Sequence, residues 1–415
     1  MSPSDAQPAP QTPARRRLAV VLSHPTQYYS PWFRWLAGRV ALDLRVFYLW
    51  RFGVSTQRDP GFGTSFAWDV DLLSGYESEF VPNKAKAPGA ESFWGFNNPE
   101  LPGRLAAWKP DALLLFGYKW ASHLRAILWA RWRRVPIVFR GDSHFLGRPP
   151  GKGVPAFLLR LVFRQFSAFA FVGAANRDYF SALGVPGRKL FFTPHSVDNT
   201  LFDPGLPGCA GAAAALRSQL GLATGDRVIL FAGKLVPAKQ PRELLEAFLR
   251  INRPGTALVF VGDGSEKASL EARAGAPRAA GGCAVRFLPF ANQSEMPARY
   301  LAADIFALPS RGSYETWGLA VNEAMHMGLP CLVSDRVGCQ QDLVTDGETG
   351  WVFPSTDPAR LSESLEAALA ADLSAFRPRV ARRIAGYTYR QTTDGLLAAL
   401  ASLHPAEPAP AGVAR

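Results

Sequence analysis

The feature that most constrains the fold is an alternation of short apolar runs with longer amphipathic segments, which continues along most of the chain. In the first half, five-residue apolar runs occupy positions 18–22, 44–48, 112–116, 135–139 and 168–172. Segments with helical periodicity separate most of them, at 31–40, 121–133, 155–166 and 174–183. This pattern is typical of βαβ units, in which helices connect buried parallel strands.

A second alternation begins after a segment rich in proline, glycine and alanine at 204–215. It predicts strands at 228–232, 257–261, 285–288, 305–308 and 331–333. We therefore expect an α/β protein with two Rossmann-like parallel-sheet domains, 15–203 and 204–387, which are hinged near residue 200 and face a cleft.

Four other segments complete the predicted organisation. The interval 51–100 is long, irregular and rich in glycine, proline and aromatic residues, so we expect an insertion over the rim of the first domain. Residues 388–404 are expected to form a helix that packs back toward that domain. The compositionally biased ends, 1–14 and 405–415, are expected to be a disordered leader and tail.

The composition favours a globular cytoplasmic protein. With 415 residues, 48% of them apolar, the chain can bury two cores. No apolar run approaches the roughly 18 residues that span a bilayer, and the run 18–22 is too short for a signal peptide. The four cysteines lack C-x-x-C spacing, so we expect reduced thiols.

The positive charge of the chain is concentrated in its first half. Residues 1–205 contain 25 Lys and Arg against 14 Asp and Glu, whereas residues 206–415 contain 21 against 20. Tryptophan and arginine also interleave there, at 32–35 and 120–134. Such a face suits an anionic membrane surface or a polyprenyl-phosphate acceptor, and a solvated helix face is the alternative. No recognition motif accompanies the charge, so we expect no nucleic-acid partner.

The strongest functional signal follows the apolar run 305–308. Glu315 lies in a polar loop, Gly318 opens a segment with helical periodicity, and Glu323 lies about a turn and a half into that segment. Ligands of open parallel sheets bind beyond the carboxyl ends of the strands, where helix N-termini present N–H groups to phosphates. Because carboxylates accept hydrogen bonds from hydroxyl groups, the combination indicates a sugar nucleotide.

Glu315 and Glu323 form an E-x7-E pattern. It is followed in register by Gly328-Leu329-Pro330, Ser334-Asp335, Gly338, Asp342 and Asp346-Gly347-Glu348-Thr349-Gly350. This block resembles the family-4 retaining glycosyltransferases of the GT-B fold, over about residues 17–400 and most sharply over 228–353. The resemblance implies a nucleotide-sugar donor, UDP- or GDP-linked, and no bound cofactor or metal. It also implies a donor site that includes Gly233, Lys234, Lys239, Gly262, Thr316, Trp317, Gly318, Leu319 and Glu323, with Glu315 at the transferred sugar.

Lys234 and Lys239 follow the apolar run 228–232 and can neutralise a diphosphate from two sides, while Gly233 lets the backbone approach closely. Relatives usually have arginine in place of Lys234, so a bidentate contact is lost but the charge remains. Gly262 lacks the spacing of a dinucleotide phosphate loop and is predicted to line the pocket wall. Asp69 and Asp71 match the D-x-D metal motif of the other major glycosyltransferase fold, but no matching architecture accompanies them.

Three loops of the first domain carry further candidates, for the acceptor side at Gln27 and Tyr28 and for catalysis at Asp142 and His144, with Glu315 as the third catalytic candidate. Gln27 and Tyr28 lie after the first strand, where relatives have glycines, and they are acceptor candidates or part of a packed loop. Asp142 and His144 follow the fourth predicted strand, and the resemblance implies a histidine near the reacting sugar there. His195 lies at the hinge and is predicted to orient the linker.

Rival functions remain open from the sequence alone. A sugar-nucleotide epimerase or a sugar-phosphate synthase has the same fold, and a non-catalytic glycan- or lipid-binding protein is possible. The presence of both lysines and both glutamates favours a catalyst. A dehydrogenase is disfavoured because the first strand leads into Ser23-His24-Pro25 without a glycine fingerprint. The leading hypothesis is a retaining, metal-independent glycosyltransferase with a lipid-linked or small polar acceptor, acting in cell-surface polysaccharide or glycoconjugate synthesis.

Overall fold

The computed structural model describes residues 15–54, 57–58, 65–146, 155–276, 282–312 and 315–403. The predicted leader and tail lie outside these residues. Two large sheets, both entirely parallel, form the centres of two α/β domains. This architecture confirms the predicted fold class.

The first domain has a seven-stranded parallel sheet in the order β5-β2-β1-β6-β7-β8-β9, with helices on both faces and a two-stranded β3-β4 ribbon beside it. Its elements are β1 (Arg16–Leu22), α1 (Tyr29–Arg39), β2 (Leu42–Tyr48), β3 (Gln57–Arg58), β4 (Ser65–Phe66), β5 (Glu77–Phe80), α2 (Leu101–Trp108), β6 (Ala112–Phe116), α3 (Ala121–Arg133), β7 (Ile137–Arg140), α4 (Ala156–Phe163), β8 (Ala168–Phe171), α5 (Ala174–Ala182) and β9 (Leu190–Phe192).

The second domain has a six-stranded parallel sheet in the order β12-β11-β10-β13-β14-β15. The elements from there to the end of the described chain are α6 (Cys209–Gln219), β10 (Arg227–Ala232), α7 (Pro241–Ile251), β11 (Thr256–Val261), α8 (Lys267–Gly275), β12 (Ala284–Leu288), α9 (Met296–Leu301), β13 (Ile305–Leu308), α10 (Leu319–His326), β14 (Cys331–Ser334), α11 (Gln340–Leu343), β15 (Gly350–Phe353), α12 (Pro358–Ala370), α13 (Arg377–Ile384) and α14 (Tyr389–Ser402).

The apolar runs are continuous because the strands bury both faces. In β1, Ala19 and Val21 pack with α2 and α3 on one face, whereas Val20 and Leu22 pack with α1 on the other. All of these side chains are at most 5% exposed. A strand covered on both sides has no solvated face, so it shows no polar alternation.

Two predictions about the first domain require correction. The interval 51–100 is not only an insertion, because it contributes β5, which pairs with β2 at the sheet edge. The fourth predicted strand begins at Ile137 rather than 135 and extends to Arg140. Pro136 has no N–H to donate to the ladder, which accounts for the later start.

The last helix, α14, packs against the first domain. The Trp32 indole of α1 donates to Thr393 Oγ1 at 3.0 Å, and Arg16 of β1 donates to the Leu400 carbonyl at 2.8 Å. Leu396 and Leu400 are buried in the core formed by α1 and the first sheet. The helix α14 is therefore held against β1 and α1 of the first domain.

The four cysteines are buried and form no disulfide. None of the helices in the described ranges is long and apolar enough to cross a bilayer.

Candidate active site

A cavity of about 590 Å³ lies between the two domains, at the carboxyl ends of β1, β10, β11 and β13. It is the place where parallel sheets present loops and helix N-termini to ligands. Residues predicted from the sequence that line it are Gln27, Tyr28, Asp142, Gly233, Lys234, Lys239, Gly262, Glu315, Thr316, Trp317, Gly318, Leu319 and Glu323. His144 is the predicted site residue that does not line it.

The start of α10 depends on Gly318. This residue is the N-cap and has φ 98°, in the left-handed region. A Cβ atom there would lie 2.9 Å from Val337 Cγ1, so a larger residue would be strained and would clash. The turn directs Leu319 into the cavity and sets the helix so that Glu323 lies on its buried side.

Glu323 is 3% exposed and accepts hydrogen bonds from both domains. Tyr300 of α9 donates to Oε2 at 2.8 Å, and Tyr28 of the first domain donates to Oε1 at 3.0 Å. Gln293 Nε2 lies 3.5 Å from Oε1. Burial raises the pKa of Glu323 to about 7, although these hydrogen bonds oppose the rise. Both oxygens of the Glu323 side chain therefore already accept hydrogen bonds from hydroxyl groups, those of Tyr300 and Tyr28.

Tyr300 and Gln293 were not predicted as site residues. They reach Glu323 from α9 and from the turn before it, so their proximity depends on the packing of α9 against α10. Helical periodicity marks Tyr300 only as a core residue. The sequence therefore contains no signal that singles out either residue.

Glu315 contacts Lys239 directly. The Lys239 ammonium donates to Glu315 Oε2, and Ser310 Oγ donates to the same oxygen at 3.2 Å. The two charged side chains are only 13% and 15% exposed. Lys239, predicted to bind the diphosphate, and Glu315, predicted to bind the sugar, thus form an ion pair with each other.

Gly233 and Gly262 bring the ends of β10 and β11 into backbone contact. A Cβ on Gly262, at φ 142°, would lie 2.0 Å from the Gly233 carbonyl oxygen. No other residue fits at Gly262, and Gly233, at φ 147°, has a backbone conformation that favours glycine. The two glycines form a wall of the cavity beside Lys234 and Lys239.

Asp142 and His195 lie on the first-domain side of the cavity. Thr316 donates to Asp142 Oδ2 at 2.8 Å, and His195 Nε2 is 3.8 Å from the same oxygen. Burial would raise the pKa of Asp142, but its interactions with His195 and Thr316 prevail and lower it to about 2. Burial lowers the pKa of His195, although the interaction with Asp142 acts in the opposite direction and raises it. An anionic carboxylate and a neutral imidazole therefore face the cavity.

His144 supports the site from outside. It is 5% exposed, its Nδ1 accepts from the Leu146 N–H at 3.1 Å, and its Nε2 lies 3.3 Å from the Glu315 carbonyl oxygen. With Nδ1 an acceptor, Nε2 carries the proton and donates to that carbonyl. Through Nε2 it contacts the main chain of the Glu315 loop. The histidines that line the cavity in the described part of the chain are His24 and His195.

The D-x-D pair makes contacts within the protein. Asp69 accepts hydrogen bonds from the main chain and the side chain of Ser294, across the cleft. Asp71 accepts from the N–H groups of Leu73 and Ser74 at 3.0 and 3.1 Å. Across the described ranges, no group of three His, Cys, Asp or Glu residues is arranged to hold a metal ion.

Two parallel-sheet domains that meet at one cavity lined by strand ends define a two-domain α/β protein with its ligand site at the domain boundary. Residues 213–386 match the family model described as Glycosyl transferases group 1. The D-inositol 3-phosphate glycosyltransferase of Nocardia farcinica is 31% identical over 361 residues, covering 77% of this chain and 77% of that protein. The chain belongs to the group 1 family of glycosyltransferases, as the sequence motifs indicated.

A second relative and a solved structure extend the comparison. The D-inositol 3-phosphate glycosyltransferase of Geodermatophilus obscurus is 34% identical over 228 residues, 52% of this chain and 48% of that protein. The match therefore spans about half the length of that relative. The crystal structure of Anabaena HepE in complex with UDP and glucose has a TM-score of 0.68 and 17% identity, over 94% of this chain and 100% of that one. This likeness confirms the GT-B fold.

Proposed function

We propose that this protein transfers a sugar from a nucleotide-sugar donor to a hydroxyl group of a lipid-linked or small polar acceptor, with retention of anomeric configuration. The observation that carries the proposal is the convergence of two lysines, two glutamates and the N-terminus of α10 at one cavity. Family membership supports it. We assign the activity to the cytoplasm and to the synthesis of cell-surface polysaccharides or glycoconjugates.

In the proposed complex, Lys234 and Lys239 hold the donor diphosphate, and the N-terminus of α10 adds the positive end of its dipole. These charges stabilise the diphosphate as it leaves. The mechanism therefore needs no metal ion.

Glu323 accepts hydrogen bonds from the ribose hydroxyls of the donor, which replace the Tyr28 hydroxyl seen at 3.0 Å. Glu315 accepts from hydroxyls of the transferred sugar as its ring becomes oxocarbenium-like. The acceptor oxygen bonds to the anomeric carbon while the bond from that carbon to the diphosphate breaks. The nucleoside diphosphate leaves with the electron pair and takes the proton of the hydroxyl. Attack on the face of the leaving group gives retention, and no protein base is required.

The donor proposal is tested by thermal unfolding with UDP-, GDP- and ADP-sugars, because a ligand bound by the folded state raises its stability by mass action. One nucleotide series is expected to raise the unfolding temperature, with and without a chelator. A Gly262→Ala variant is expected to lose the stabilisation, since its Cβ would lie 2.0 Å from the Gly233 carbonyl oxygen and displace the wall beside Lys234 and Lys239. Absence of stabilisation by all three series would contradict the proposal.

Peripheral attachment to an anionic membrane is a further part of the proposal. Leu124, Leu128 and Trp132 form an exposed stripe along α3, 44%, 60% and 78% exposed. Exposed arginines at 131, 133 and 134 adjoin its end. Only some of the tryptophans that interleave with arginine in the sequence are exposed. Trp129 is buried in the core below α3, and Trp32 is buried against α14. The stripe is apolar and its border is basic, which suits an anionic bilayer.

We expect the protein to float with anionic vesicles at low salt and less well at high salt, because each basic residue near such a surface contributes about 1 kcal/mol that salt screens. Trp132→Ser and Arg131→Glu are each expected to reduce flotation. Arg253→Glu, an exposed position of the second domain, is the matched control. Equal flotation with neutral vesicles, or none with anionic ones at low salt, would refute the attachment.

A further inference from the structure

A short segment of the first domain, between β4 and β5, crosses the cleft and contacts the turn that precedes α9. The Ala67 carbonyl accepts from Asn292 Nδ2 at 2.7 Å, and the Asp69 N–H donates to Asn292 Oδ1 at 3.2 Å. The Asp69 carboxylate accepts from the N–H and the hydroxyl of Ser294. The side chain of Asn292 therefore holds the main chain on both sides of Trp68.

The orientation of Asn292 is fixed by its own turn. Its Oδ1 also accepts from the Gln293 N–H at 3.1 Å, and Glu295 Oε2 accepts from the Asn292 N–H at 3.0 Å, which is a capping box. An amide can accept from Asp69 and donate to Ala67, whereas the carboxylate of an aspartate, which caps equally well, can only accept. The contact across the cleft, rather than the cap, therefore requires asparagine at this position.

This contact sets the position of Trp68, which lines the cavity together with Phe290. The centroids of the two rings are 6.3 Å apart and their planes are inclined by 55°. The indole also lies close to Gly53, where an added Cβ would be 3.2 Å from Trp68 Cδ1. Trp68 of the first domain and Phe290 of the second thus form an aromatic corner of the cavity.

The aromatic corner lies at the end of the cavity where the proposed donor would place its base. A nucleotide runs from diphosphate through ribose to base, and the proposal sets the diphosphate at Lys239 and the ribose at Glu323. Gln293, whose Nε2 is 3.5 Å from Glu323 Oε1, belongs to the same turn as Phe290. From the ribose, the base would extend toward that turn. A planar base can pack against one aromatic ring and meet the edge of another.

We infer that Trp68 contacts the nucleobase of the donor, and that Asn292 and Asp69 are positioning residues that hold Trp68 across the cleft. The donor site then combines both domains at its base end. This inference rests on the proposed function and adds a base contact from the first domain to it. It also assigns Asp69, from the D-x-D pattern, to the placement of an aromatic side chain.

The test is calorimetry on the full chain with UDP, GDP and ADP, and with inorganic pyrophosphate, which has the diphosphate but neither ribose nor base. Trp68→Ala is expected to weaken the nucleotide that the protein binds by about tenfold, the usual loss when an aromatic side chain no longer stacks on a base. Pyrophosphate affinity is expected to stay unchanged. Trp68→Phe keeps a ring and is expected to retain most of the nucleotide affinity.

Two controls bracket this result. Lys239→Ala is expected to weaken the nucleotide and pyrophosphate alike, because it removes a charge at the diphosphate. Trp94→Ala is expected to change neither, since Trp94 is 59% exposed and lies outside the cavity lining in the described part of the chain.

Asn292→Asp tests the positioning role. It keeps the cap and the size of the side chain but places an acceptor opposite the Ala67 carbonyl. We expect the nucleotide to bind about fivefold more weakly, the effect of one lost hydrogen bond, with pyrophosphate unaffected. Unchanged nucleotide affinity in this variant would refute the positioning role.

Unchanged nucleotide affinity in Trp68→Ala would overturn the inference. Equal losses of nucleotide and pyrophosphate in that variant would overturn it too, because the effect would then lie in domain closure or folding rather than at the base. If the unaltered protein binds none of the nucleotides, the proposed function itself fails, and the inference fails with it.

Discussion

Replacing Glu315 with glutamine is expected to lower turnover by about 100-fold, the usual effect of removing one group that stabilises charge in a transition state. The substitution keeps the shape of the side chain but removes the negative charge that faces the sugar as it becomes oxocarbenium-like. Nucleoside diphosphate affinity is expected to remain or to increase, because Lys239 no longer pairs with a carboxylate. Steady-state kinetics and calorimetry with the nucleoside diphosphate measure the two effects separately.

Glu323→Gln is the matched control for this result. Glu323 lies on α10, just after the loop that carries Glu315, and its carboxylate accepts from Tyr300 and Tyr28. We expect it to weaken the donor by about tenfold through loss of charge-assisted hydrogen bonds to ribose, with a smaller change in turnover. The reverse pattern, lost affinity in Glu315→Gln and lost turnover alone in Glu323→Gln, would exchange the two roles and contradict the assignment.

Lys239→Ala is expected to weaken UDP or GDP binding by more than about tenfold, since a hydrogen bond to a charged group contributes about 1.5 to 3 kcal/mol. The structure adds a second reason. Without Lys239, the Glu315 carboxylate, which is 15% exposed in the intact pair, loses this cation and stays close to the incoming diphosphate. Repulsion between like charges then adds to the lost attraction.

A double variant separates these two contributions. In Lys239→Ala with Glu315→Gln, the repulsion is absent, so part of the affinity is expected to return and the two changes will not add. Lys267→Ala is the control, because Lys267 is also ion-paired, with Asp263 at 2.6 Å, but lies outside the cavity lining. Unchanged nucleotide affinity in Lys239→Ala, with the fold intact, would refute its role at the diphosphate.

The sequence predicted the elements whose signal is local. Strands buried on both faces, such as β1 and β10, are continuous apolar runs, and each was predicted within two residues. By contrast, β5 reads Glu77-Ser78-Glu79-Phe80 and lies at a sheet edge. Its polar sequence reflects partial exposure, so hydrophobic periodicity did not reveal it.

In the site, too, local relations could be predicted from the sequence, whereas contacts between distant segments could not. The relation of Gly318 to Glu323 is set by one turn and one helix, so it could be read from spacing. The pairing of Lys239 with Glu315 joins loops of two strands, β10 and β13, and depends on the order of strands in the sheet. His195 reaches the cavity from the hinge, 51 residues after His144 in sequence, and only the packing of the domains decides that His195 lines the cavity and His144 does not. The roles given to these residues stay predictions.

The most direct test of the account is the anomeric configuration of the sugar at the moment of transfer, with a chelator present. A sample of α-linked UDP- or GDP-sugar is treated with concentrated enzyme, and ¹H NMR follows the new glycosidic linkage, or the free sugar formed when water is the acceptor, before mutarotation. Metal-independent transfer with retention predicts that the α anomer appears first and that the rate is unaffected by the chelator. A β product, or activity that the chelator abolishes and manganese restores, would contradict it.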